Sequence, residues 1–228
     1  MISDDKIIVK EGHIMIEKLI EELGESYELR PLENKEFETF KVKGMQFETK
    51  AFDALFLGRV SSIHGKMPLG LMEMETLIIN PFELDVPLFS LDLIKVPGKI
   101  NVIVEQYDTL VHAKRNENAF LNIKEKYADM DDKTSGPRWY DELRYASSAS
   151  KKVSRKDAKK VVELVNEYFE AYLDLCRDAR VVDKAEKKVK ADLYRDGLVD
   201  NGGVAADSFI KAWGKEKTKQ FFEEVLFG

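Results

Sequence analysis

The chain of 228 residues is 44% hydrophobic, carries a net charge of −6 and contains a single cysteine, Cys176. Its length and apolar content fit one globular domain with a sizeable core and exclude a disordered polar chain, while the acidic balance excludes a general nucleic-acid binder. The lone cysteine rules out an internal disulfide, and no apolar run approaches the length of a membrane span. The opening Met1-Ile2-Ser3-Asp4-Asp5 lacks the basic and then apolar segments of a secretory leader, so a cytoplasmic monomer is expected.

Residues 12–24 read as an amphipathic helix, with Ile14, Ile16, Leu19, Ile20 and Leu23 on one face and Gly24 as terminator. Strand patterns follow over 37–43 and 45–51, hinged at Gly44, and then over 54–61 and 71–80 on either side of a Gly/Pro turn. In the last of these, Glu73 and Glu75 share one face while Met72, Met74 and Thr76 share the other. Strands over 86–96 and 100–106 flank Pro97-Gly98. Connections this short require an antiparallel meander.

Residues 107–152 read as an irregular charged connection with a loop at 129–137. Ser154 and Asp157 have capping-box spacing and open a helix to Cys176, whose place on the apolar face makes it a buried small hydrophobe. A second helix is expected over 183–195, a break at 197–203, a helix over 205–213 and a last one beyond Gly214. Strands followed by helices predict an α+β protein with helices covering a central antiparallel sheet.

The chemistry on offer is limited. No dinucleotide fingerprint, P-loop or nucleophile elbow is present, and His13, His64 and His112 lack metal-ligand spacing. What remains are carboxylates. Asp92 stands in the apolar run Pro87-Leu88-Phe89-Ser90-Leu91-Asp92-Leu93, where burial favours the protonated acid. Such a group is either a satisfied structural carboxylate or a proton donor. Glu75 on the neighbouring strand is close enough in sequence register to pair with it, and His64 sits at the sheet's rim. The run Lys151, Lys152, Arg155, Lys156, Lys159 is a local positive field on an acidic protein, suited to steering an acidic partner.

Two segments resemble the ferredoxin-dependent bilin reductases and the related red chlorophyll catabolite reductases. One is Asn80-Pro81-Phe82-Glu83-Leu84-Asp85-Val86-Pro87-Leu88-Phe89-Ser90-Leu91-Asp92-Leu93. The other is Phe209-Ile210-Lys211-Ala212-Trp213-Gly214 with the closing Phe221-Phe222-Glu223-Glu224-Val225-Leu226-Phe227-Gly228. The resemblance implies a single domain, 1–228, folded as a three-layer α/β/α sandwich with a central antiparallel sheet, and a linear tetrapyrrole (bilin) substrate held between the sheet and the C-terminal helices. It also implies reduction by single electrons from ferredoxin or flavodoxin, without an intrinsic flavin, nicotinamide or metal. The family's aspartate falls on Asp92 as proton donor. Counted back without gaps, a position carrying histidine or asparagine in the family falls on Glu75, and the glutamate of the preceding strand falls near His64. Leu77, Asn201, Arg195 and Arg59 are the expected pigment contacts. The basic run from Lys151 to Lys159 is the expected ferredoxin surface. A non-catalytic tetrapyrrole-binding protein on the same fold, or an interaction module with a purely structural Asp92, are the competing expectations.

Overall fold

The computed structural model describes residues 12–203 and 205–228. The opening segment, Val204 and the side chains of His13 and Ile14, on which parts of the sequence reading fall, lie outside what is described.

Helix α1 (Gly12–Ser26) precedes an antiparallel sheet built from β1 (Leu29–Pro31), β2 (Thr39–Val42), β3 (Met45–Ala54), β4 (Gly58–Lys66), β5 (Glu73–Pro81), β6 (Leu88–Val96) and β7 (Lys99–Tyr107). After α2 (Asn118–Lys126) come β8 (Asp131–Asp132) and β9 (Ala149–Ser154), and the nine strands follow the order β1-β3-β4-β5-β6-β7-β9-β8 with β2 also on β3. The chain closes with α3 (Ala158–Arg177), α4 (Lys184–Asp200), α5 (Ala206–Trp213), α6 (Lys215–Phe221) and a π-helical turn, Phe222–Phe227.

Strand alternation divides the core into two layers. On one face Val60, Leu77, Ile79, Leu91, Leu93, Val102 and Val104 pack under α1 and α3, whose Tyr168, Phe169 and Tyr172 are buried. On the other face Phe47, Ile63, Ile78, Leu88 and Tyr107 meet α4, α5, α6 and the π turn through Tyr194, Phe209, Phe221 and Leu226. The α+β class expected from the order of elements and the three-layer sandwich implied by the resemblance are both observed. Cys176 is buried, as its helical phase indicated, and burial pushes its thiol up to about 12.

Several boundaries differ from the sequence reading for local reasons. Lys43 and Gly44 both have positive φ (50° and 81°), so the β2–β3 hairpin turns where Gly44 placed it. The next strand begins at Gly58 rather than Ala54, because Phe56 is left-handed (φ 66°) and the chain reverses there. Residues 107–152 are not a plain connection. They contribute α2, β8 and β9, and β9 extends the sheet beyond β7 with the adjacent Lys151 and Lys152 on opposite faces. The Ser154 hydroxyl donates to the Asp157 carboxylate (2.6 Å) rather than capping a backbone amide, and a 3-10 turn, Arg155–Asp157, intervenes before α3. Helix α4, capped by Asp183 at the amides of Ala185 and Glu186, runs through Gly197 without a break. Glycine is needed there for space: a Cβ would lie 2.2 Å from the Trp139 ring.

Candidate functional site

A cavity of about 470 Å³ lies between the second sheet face and the C-terminal helices. Its floor is one face of three adjacent strands, Thr76 and Ile78 of β5, Ser90, Asp92 and Ile94 of β6, and Ile103, Glu105 and Tyr107 of β7. Tyr194 and Leu198 of α4, Phe209 of α5, and Phe222, Leu226 and Phe227 of the π turn form the roof and rear. The π turn is fastened to the sheet through its main chain. Arg59 donates to the carbonyls of Glu224 (2.7 Å) and Val225 (3.3 Å), Ser61 to that of Leu226 (2.9 Å) and Asn80 to that of Phe227 (2.7 Å). The rear wall is buried, whereas Lys43, Met67, Met72, Lys133 and Ser135 at the opposite end retain exposure, which makes that end the mouth.

Asp92 sits mid-floor, flanked in register by Thr76 and Ile103. Its carboxyl opens only onto the cavity and is otherwise surrounded by protein, which raises its pKa from 3.8 to about 6. Thr76 opposes this by donating its hydroxyl to Asp92 Oδ1 at 2.5 Å. Glu105 on the next strand adds to the rise, and Lys133 counters it. Glu105 itself accepts from the Tyr107 hydroxyl (2.5 Å) and pairs with Arg144 (2.9 Å). The Tyr107 and Tyr194 rings pack 4.3 Å apart and, by burial, hold both phenols well above their usual pKa. The floor therefore presents, in Asp92, a carboxyl whose raised pKa suits it to proton transfer, set in a slot lined mainly by apolar side chains.

No family model and no curated protein matches the sequence. Among solved structures, the crystal structure of phytochromobilin synthase from tomato in complex with biliverdin aligns with a TM-score of 0.73 at 12% identity, covering 92% of this chain and 80% of that chain. The chain shares the fold of that phytochromobilin synthase structure. The fold agrees with the family that the Asp92 segment and the C-terminal aromatic block resemble. Among the described residues no helix is long and apolar enough to cross a membrane.

Within this fold the expected site residues separate. Asp92 reaches the cavity. Glu75 does not: it alternates with Thr76 and Met74, so its side chain lies on the opposite sheet face, buried, with its pKa raised by burial to about 8. An acid pair with Asp92 is thereby excluded, and Thr76 is the residue opposite Asp92. His64, in register with Glu75, follows it to that far face and meets Glu73 Oε1 at 3.1 Å. Ligand atoms of His64, Glu73 and Glu75 lie within 4.8 Å of one another, and Lys95 Nζ stands 3.5 Å from Glu73 and 4.0 Å from Glu75, supplying positive charge there. Leu77 belongs to the core under α1 and α3.

The expected pigment cations also point elsewhere. Arg195 is buried in ion pairs with Asp192 (2.7 Å), Asp196 (2.9 Å) and Glu223 (3.3 Å). Arg59 is committed to the π turn, and Asn201 is exposed beyond the end of α4. In their place the cavity is lined by Lys43, Lys133, Arg138 and Arg144, none of which the motifs indicated. The buried Nε of Arg138 has no protein partner. These cations come from the β2–β3 turn and from the 107–152 connection, a stretch whose charge was visible but whose position over the sheet was not. In the basic run, Lys151 turns inward, donating to the Met130 carbonyl (3.1 Å) and pairing with Asp132 (2.8 Å), so it is no docking residue. Lys152 and Arg155 are partly exposed, and Lys156 and Lys159 are exposed.

Proposed function

We propose that this chain binds a linear tetrapyrrole of the biliverdin type in the cavity and reduces one of its double bonds. Electrons come from reduced ferredoxin, or from flavodoxin in its place, and Asp92 is the proton donor. The observation that carries this reading is the Asp92 carboxyl, which stands midway along the cavity floor with its pKa raised by burial to about 6. A stacked pigment excludes further water from that floor and extends the protonated range upward.

Reduction of one double bond takes two electrons and two protons. The donor gives up electrons singly, so a pigment radical forms after the first. As a new C–H bond forms at the pigment, the O–H bond of Asp92 breaks and the carboxylate left behind is reprotonated from water at the mouth, so that the second electron from the donor and the proton of the renewed acid complete the reduction. Thr76 keeps Oδ1 occupied, which leaves the other oxygen to carry the transferable proton. Lys43 and Lys133 at the open end, with Arg138 and Arg144 beside them in the lining, are the cations assigned in this reading to the carboxylates of the pigment's propionate arms. The scheme needs no intrinsic cofactor. Lys152, Arg155, Lys156 and Lys159 are the part of the basic run left to meet an acidic ferredoxin.

A second reading, a tetrapyrrole carrier without turnover, is favoured by Thr76, which stands opposite Asp92 where a second proton donor would be needed. Titration of the protein with biliverdin, followed by absorbance, tests both: a shifted and saturable pigment band is expected, and its absence overturns them. Anaerobic addition of reduced ferredoxin then separates the two, since loss of the long-wavelength band is turnover and its persistence leaves a carrier.

A further inference from the structure

The open end of the cavity coincides with one end of the sheet, where four chain segments stand side by side. They are the β2–β3 turn at Lys43-Gly44, the β4–β5 connection from Lys66 to Met72, the β6–β7 turn at Pro97-Gly98, and the end of β9 running into Arg155 and Lys156. Register ties them into one surface: Gln46 faces Lys66, Glu73 faces Lys95, Lys99 faces Ser154, and the Arg155 amide donates to the Gly98 carbonyl. Five strand spacings from β3 to β9 span roughly 24 Å.

Cations dominate this surface. Lys43, Lys66, Lys99 and Lys156 are exposed and Arg155 partly so. Of the nearby carboxylates, Glu73 pairs with His64 and Lys95, Asp132 with Lys151 and Asp129 with Lys160, while Asp131 and Asp157 are exposed and keep their charge. At its centre, between Pro68 and Gly70, Leu69 is 97% exposed and left-handed (φ 58°), a costly conformation for a leucine, and Leu71 is 54% exposed. Met67 and Met72, at either side of this tip, line the cavity, as does Lys43. Apolar contacts at the centre, cations at the rim and a cavity mouth underneath form an interface that brings a partner's reactive centre close to a bound pigment.

We infer that this end of the sheet, with Leu69 and Leu71 at its centre and Lys66, Lys99, Arg155 and Lys156 around them, docks a small acidic protein that carries a one-electron centre near an apolar patch of its surface. The inference rests on the reductase reading and moves the weight of docking from the start of α3 to the hairpin tips.

The experiment uses the full chain, a plant-type [2Fe–2S] ferredoxin as probe and two double variants, Lys66→Glu/Lys99→Glu and Leu69→Asn/Leu71→Asn. Lys184→Glu/Lys190→Glu on exposed α4 positions is the control. Calorimetric titration of pigment-free protein with oxidised ferredoxin reads docking without turnover. Both docking variants should weaken binding at least about tenfold at low salt, the charge variant recovering toward wild type at high salt, with the control unchanged. Biliverdin reduction by dithionite-reduced methyl viologen, which needs no docking, should proceed equally in all forms. Equal ferredoxin affinity in variants and wild type overturns the docking surface. Failure of the wild type with viologen overturns the reductase reading alone. Binding of phosphatidylglycerol vesicles that Leu69→Asn/Leu71→Asn abolishes, with ferredoxin affinity unchanged, assigns the surface to a lipid instead and also overturns the inference.

Discussion

Replacing Asp92 by Asn separates the cost of the buried acid from its use. In the folded protein burial raises the carboxyl from 3.8 to about 6. Between those values the folded protein holds a proton that the unfolded chain has released, so stability falls as pH rises through that window. At about 1.4 kcal/mol per pKa unit the loss reaches about 3 kcal/mol above pH 7 and is about half complete at pH 5. Asn is neutral at every pH, and its amide oxygen accepts the Thr76 hydroxyl as Asp92 Oδ1 does. The stability gap in favour of Asp92→Asn should therefore widen by about 1.4 kcal/mol between pH 5 and pH 7.5. With a urea dependence of about 2 kcal/mol per M, that is a midpoint difference growing by about 0.7 M. Urea titrations of both proteins at the two pH values measure it. A gap that stays constant, or narrows as pH rises, refutes the claim that Asp92 is a desolvated acid. The same variant should bind biliverdin with near wild-type affinity yet stall after the first electron, leaving a radical detectable by electron paramagnetic resonance.

The neighbours of Asp92 should move its titration in opposite directions. Thr76→Val removes a hydrogen bond to the carboxylate and raises the Asp92 midpoint, whereas Glu105→Gln removes a nearby negative charge and lowers it. Carbon-13 NMR of the labelled carboxyl reads both, and shifts of the same sign contradict the arrangement. Gly197→Ala drives a Cβ to 2.2 Å from a Trp139 ring whose indole also donates to the Gly202 carbonyl at 2.7 Å. It should cost about 1–3 kcal/mol and alter tryptophan fluorescence, and an unchanged thermal midpoint would count against the packing described.

Much of the fold was legible because short turns leave an antiparallel sheet no alternative. Gly44 and Pro97-Gly98 marked hairpins that the structure has. Strands of two or three residues, β1 and β8, lie below the length at which alternation is visible, and β9 hides its strand pattern among lysines, one of which turns inward. The Asp92 segment led to the cavity because an acid among leucines is conspicuous on its own. Its partners were harder. Alternation within β5 already put Glu73 and Glu75 opposite Thr76, but which of those faces Asp92 shares depends on pairing between strands, and a one-residue difference exchanges faces. Arg195 and Arg59 were read as ligand cations for want of any view of Asp192, Glu223 or the π-turn carbonyls that engage them. Lys133, Arg138 and Arg144 were unreadable as site residues, since their segment folds over the sheet through contacts distant in sequence.

The rear of the cavity is tied down by carbonyl oxygens, groups that every amino acid supplies alike. Anchorage and shape are thus under separate control at this wall. Substitutions at Phe222, Leu226 or Phe227 can resculpt the contour offered to a guest molecule while Arg59, Ser61 and Asn80 keep the same grip on the chain beneath, so selectivity for different chromophores can drift without the end of the protein coming loose.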